Sequence, residues 1–173
     1  MKHGGGLRVT APTEREIVMT RLFDAPRSLV FDAFTKPELV KRWLLGPPGW
    51  SMPVCEIELN VGGSYRYLWR RDRDGHDMGM GGVYREIVAP ERLAATERFD
   101  EAWYPGEALL TIVLVEQGGR TTLTQTMLYE SRAARDVVIN SNMEGGVTAS
   151  YERLAELLAS LGNRGSQRGA REA

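Results

Sequence analysis

The sequence predicts an α+β fold, a curved seven-stranded antiparallel sheet covered by one long C-terminal helix, with two short helices after the first strand. Three observations carry this. Residues 54–129 hold a series of segments rich in branched and aromatic residues, many alternating with period two, and several of the links between them are very short. Gly62-Gly63, Asp74-Gly75 and Gly118-Gly119 are such tight turns, which enforce neighbouring antiparallel strands. On both sides of that series the apolar spacing changes to that of a helix.

Residues 1–14 are polar and glycine-rich and read as a flexible arm. "EIVMTRLF", Glu16–Phe23, is the first strand. Val30, Phe31 and Phe34 then form one helical stripe, and Leu39, Val40, Trp43 and Leu44 form another. Pro37 suits the first position of the second helix, with Thr35 as its cap. Gly46-Pro47-Pro48-Gly49 ends it. Strands are expected at 54–61, 64–71, 76–88, 92–99, 109–117 and 120–129, with Pro90 ending one of them. Between 99 and 109 lies a longer loop carrying Trp103 and Tyr104. Ser131 suits the cap of a helix in "RAARDVVINS", and a longer helix is expected over 142–161 from the spacing of Met143, Val147, Tyr151, Leu154 and Leu158. Residues 15–161 thus form one domain, and 162–173 read as a disordered tail.

With 42% apolar residues and a formal net charge of −1, the chain has the composition of a folded protein and no global field for nucleic acid or an anionic membrane. "RYLWRRDR" concentrates arginines, but its alternation and terminal turn suit a solvated hairpin tip, so no nucleic-acid partner is expected. No membrane partner is expected either, since no apolar run approaches the roughly 18 residues of a spanning helix. A lone cysteine excludes an intrachain disulfide, and a cytoplasmic setting is expected. Cys55 alternates with Ile57, Leu59 and Val61 as a small buried hydrophobe would. His3 and His76 belong to no metal or catalytic motif, so no metal, no cofactor and no catalytic residue is assigned.

Sheet curvature leaves space beneath the helix, and strand alternation says what faces it. Tyr65, Tyr67 and Trp69 share one face, as do Met78, Met80 and Tyr84 with Gly82, and Leu93 and Ala95 with Glu97 and Phe99. Glu97 is a carboxylate among apolar neighbours; in the inverted register it would be solvated. Gly145 and Gly146 weaken the long helix where close packing or ligand clearance would use them. The candidate ligand-binding set is Trp43, Tyr65, Tyr67, Trp69, Met78, Met80, Tyr84, Glu97, Phe99, Met143 and Val147, with Trp50, Trp103 and Tyr104 as rim or partner contacts. These residues suit a cavity for an apolar, aromatic-containing small molecule. The alternatives are a protein-interaction or homodimerising module using the exposed aromatics, and an enzyme in which Glu97, Tyr65, Tyr67 or Tyr84 polarises its substrate.

"FDAPRSLVFDAFTKPELVKRW" followed by "LNVGGSYRYLW" resembles the AHSA1 family (activator of Hsp90 ATPase homologue 1-like) of the START/Bet v 1-like (SRPBCC) superfamily. The likeness continues through "GGVYREIVAPERLAATERF", "GGRTTLTQTMLYES" and "NMEGGVTASYERLAELLA", covering most of residues 16–160. It implies a helix-grip fold, in which a curved sheet grips the long C-terminal helix around a hydrophobic cavity. Superfamily relatives bind lipids, sterols or polyketides, and some act as cyclases or aromatases, so the resemblance gives the enzyme alternative the form of a cyclase- or aromatase-like reaction on a polyketide-like substrate. The family supplies no universal catalytic residue, and Gly62, Gly63, Pro90 and Glu91 match its fold-specifying turns. The chaperone-docking domain of the eukaryotic activator is not among these residues, so chaperone contact is not expected to carry over.

Overall fold

In the computed structural model, which describes residues 5–169, the three-residue strand Arg8–Thr10 (β1) pairs antiparallel with Glu16–Phe23 (β2). That short edge strand falls inside the stretch expected to be a loose arm; only residues 1–4 of the arm, with His3, lie outside the described residues. Its backbone covers the open side of β2, as short edge strands do. Along β2 every second residue is buried, from Ile17 to Phe23.

Two helices follow, Arg27–Thr35 (α1) and Pro37–Trp43 (α2). Pro37 opens α2 as expected. Thr35 does not cap it: the Thr35 Oγ1 donates to the Phe31 carbonyl at 2.8 Å and closes α1, while Lys36, in extended backbone, takes the cap position. A threonine hydroxyl this close to the preceding turn bonds backward more readily than forward.

The remaining strands are Trp50–Ile57 (β3), Ser64–Arg71 (β4), Asp77–Val88 (β5), Arg92–Phe99 (β6), Ala108–Gln117 (β7) and Arg120–Leu128 (β8). They complete an eight-stranded sheet in the order β1-β2-β8-β7-β6-β5-β4-β3. β3 starts and ends four residues earlier than the 54–61 expected, so Leu59 and Val61 are exposed in the following turn and do not continue an inward face. Pro53 is tolerated because β3 is an edge strand whose register shifts between Ser51 and Val54.

Ser131 caps Arg132–Ile139 (α3), its Oγ accepting from the Ala134 N–H at 3.1 Å. Met143–Gly169 (α4) runs past the 161 expected as its end, into residues read as a disordered tail; residues 170–173 of that tail lie outside the described residues. Tyr151, Leu154, Leu157 and Leu158 of α4 join one core with Phe23, Tyr65, Tyr84 and Leu123 of the sheet and with Val30, Val40 and Trp43 of the short helices. Arg21 of β2, 2% exposed, reaches Glu152 of α4 at 3.1 Å. The architecture is a curved antiparallel sheet packed against a long C-terminal helix, in a helix-grip arrangement.

Candidate functional site

Between sheet and α4 the core opens into a cavity of about 480 Å³. Alternation puts Tyr65, Tyr67 and Trp69 of β4 on its wall. Met78, Met80 and Tyr84 face it from β5, and Leu93, Ala95, Glu97 and Phe99 from β6. Trp43 closes it from α2, with Met143 and Val147 opposite on α4. The whole candidate ligand-binding set therefore borders one space. Trp50, half-buried, borders it as well, with the Arg71 guanidinium 5.6 Å from its ring centre.

Sequence reasoning missed Phe34, Leu110, Ile112, Gln125 and Tyr151 as lining residues. Phe34 shares the stripe of Phe31 and packs edge-on against Trp43 at 4.7 Å. Leu110 and Ile112 sit in a nearly continuous apolar run in which neither face stands out. The available signal was the period-two spacing of Ile112 with Leu110, and of Gln125 with Leu123.

A bend in the sheet shapes the cavity. Gly82 lies so near β6 that a Cβ there would collide with the Thr96 carbonyl, and the register of β5 against β6 shifts between Tyr84 and Glu86. The Val83 N–H is taken instead by the Thr96 Oγ1 at 2.9 Å, and the Thr96 carbonyl accepts the Tyr65 hydroxyl at 2.5 Å. Next to this bend Glu97 turns into the cavity. Its Oε1 accepts from the Tyr104 hydroxyl at 3.1 Å, and it makes no ion pair among the described residues. Burial pushes its carboxyl up from 4.5 to about 7, with the Tyr104 hydrogen bond pulling the other way.

The other polar groups are sparse. The Tyr151 hydroxyl donates to the Gln125 Oε1 at 2.8 Å. Tyr67 and Tyr84 have no hydrogen-bond partner for their hydroxyls among the described residues, and neither oxygen is sealed from solvent, so both open on the cavity. Burial raises both phenols above their ordinary range. No lysine, arginine or histidine lines the space among the described residues.

The proposed rim residues separate. Trp103 is 42% exposed and rests edge-on against Phe99 at 5.8 Å. Tyr104 is a correction: it is buried between Glu97 and Tyr129, with 4% of its surface exposed, and its hydroxyl supplies the one donor Glu97 has among the described residues. Cys55 is half-buried on β3, and burial pushes its thiol up to about 11. Arg66, Arg70 and Arg71 each form two hydrogen bonds to an aspartate: Asp100, Asp77 and Asp74 respectively. Among the described residues no group of His, Cys, Asp and Glu converges as a metal site would, and no helix is long and apolar enough to cross a membrane.

Comparison with known proteins bears on this geometry. The family model described as activator of Hsp90 ATPase homolog 1-like protein matches residues 24–159. A crystal structure of a protein from Rhodobacter sphaeroides is similar at 29% identity and a TM-score of 0.85, over 90% of this chain and 99% of that one. One from Nitrosomonas europaea shares 23% identity at a TM-score of 0.77, over 88% and 99% of the two chains. The solution structure of an AHSA1-like protein from Aeromonas hydrophila shares the fold at 17% identity and a TM-score of 0.65, over 82% and 93%. No curated protein matches the chain.

Proposed function

The chain belongs to the AHSA1 family, and from that premise we propose that it binds a hydrophobic, aromatic-containing small molecule between the sheet and α4. The observation that carries the reading is a cavity of about 480 Å³ walled by aromatic and aliphatic side chains, with few polar groups convergent on it. A packed sheet–helix core has no need of such a space, because emptiness forfeits dispersion contacts along its whole lining. In this reading residues 15–161 act as one binding domain in the cytoplasm. Native mass spectrometry after gentle purification, with Nile red fluorescence and its displacement as a second readout, tests it. A retained mass or saturable Nile red binding is expected. A bare protein mass together with no Nile red enhancement overturns the reading.

A second reading, a protein-interaction or homodimerising module, is favoured by Trp103, a large aromatic side chain left exposed beside Phe99. Light scattering across a concentration series tests the homodimer. Association lost in Trp103→Ser supports it, and a monomer at every concentration removes it.

A further inference from the structure

We propose that the cavity selects a ligand carrying a protonated amine on an aromatic or apolar body, with the ammonium group held by Glu97. The inference rests on the ligand-binding reading and names the ligand's polar chemistry. Among the described residues Glu97 is the one carboxylate on the wall, and a single hydrogen bond, from Tyr104, engages its Oε1. Its second oxygen has no partner among the described residues. An ammonium group brings what is missing there, a positive charge and several donors.

The surroundings favour a cation over other polar groups. Tyr65 and Tyr67 approach Glu97 from β4, Tyr104 from the loop before β7, and Tyr129 from the end of β8; all are neutral phenols. Tyr84 stands next to Tyr65, their ring centres 5.5 Å apart, and aromatic rings are neighbours that a cation tolerates well. Glu107 adds a second negative field at Tyr65. Arg15, Glu107 and Glu130 line a separate depression with Thr96 and Tyr129. A ligand carboxylate would meet Glu97 with no cation on the wall to pair with it, and would be repelled. A neutral alcohol can bond to Glu97 and the free phenols but gains no charge pairing.

The test is calorimetric titration with three probes sharing one body: 2-(2-naphthyl)ethylamine, 2-(2-naphthyl)ethanol and 2-naphthylacetate. At about pH 8 the amine is expected to bind roughly tenfold or more tighter than the alcohol, the carboxylate binding weakest. Lowering the pH to about 6 should weaken the amine roughly tenfold, because Glu97 must then release a proton, while the alcohol changes little. Glu97→Gln should abolish both the preference for the amine over the alcohol and the pH dependence of amine binding. The wild-type comparison and pH series stand without the variant. Amine and alcohol binding equally, or a carboxylate preference, overturns this inference and leaves the ligand-binding reading in place. Failure of all three to bind overturns this inference alone, and the ligand-binding reading stands or falls on the retained mass and the Nile red titration.

Discussion

At Glu97 burial opposes ionisation, raising the carboxyl from 4.5 to about 7. The folded protein then holds its proton more tightly than the unfolded chain does. The contribution of Glu97 to stability is therefore fully present below about pH 4.5, is lost as the pH rises through about 7, and is absent above. The fall attributable to this residue is up to about 3 kcal/mol, reduced where cavity water solvates the free oxygen. Urea unfolding across that window should show the slope in the wild type and a flatter profile in Glu97→Gln; identical profiles would contradict it. The tyrosines offer a second prediction, because one hydroxyl is committed and two are not. Tyr65→Phe strands the Thr96 carbonyl and should cost about 1–2 kcal/mol in denaturant unfolding. Tyr67→Phe and Tyr84→Phe remove hydroxyls with no partner among the described residues and should stay within about 0.5 kcal/mol of wild type. Equal losses at all three would refute that division.

Two glycines test how β5 and α4 shape the cavity, with opposite signs. Gly82→Ala drives a methyl into the Thr96 carbonyl at the bend and should destabilise by about 1–3 kcal/mol. At Gly146 a Cβ would meet only the Pro47 Cδ, at 3.6 Å, an ordinary contact. Gly146→Ala should therefore stabilise α4 by about 0.5–1 kcal/mol, measured by thermal unfolding; a marked loss would mean that the turn needs glycine for packing. Strand faces were legible in the sequence because alternation ties Tyr65 to Tyr67 and Trp69, and Glu97 to Ala95 and Phe99, whichever way the sheet curves. The choice of inward face was not, since it depends on pairing between strands distant in sequence. β1 escaped notice because three residues of mixed polarity carry no period of their own and exist only against β2. The start of β3 was hidden by Pro53, which reads as a break unless the strand is known to be an edge. Tyr104 looked like a surface aromatic because its loop is polar; its burial follows from Glu97, a partner on another element.

Across the whole molecule, the segment "LLGPPGW" joins the short helices to the sheet and also borders the cavity. Gly46 and Gly49 take positive φ values of 64° and 98°, which lets the chain reverse between α2 and β3. α4 holds this turn at both ends of one residue. The Gly46 N–H donates to the Ser150 Oγ at 2.9 Å, and the Arg153 Nη1 donates to the Gly46 carbonyl at 2.7 Å. Trp69 adds a third tie, its Nε1 donating to the Leu44 carbonyl at 2.7 Å. Pro47 lines the cavity together with Gly146, Val147 and Ser150 of α4. If the segment is the passage, opening it means breaking the two bonds to α4, each contributing about 0.5–1.5 kcal/mol. Arg153→Ala should then raise the association and dissociation rates of Nile red together by roughly 2–10-fold, with its equilibrium affinity changed much less. Stopped-flow fluorescence reads both rates, and amide exchange at residues 44–49 reads the loosening directly. Faster exchange with unchanged probe rates would place the entrance elsewhere. Affinity lost through dissociation alone would make Arg153 part of the binding wall, with no control of entry.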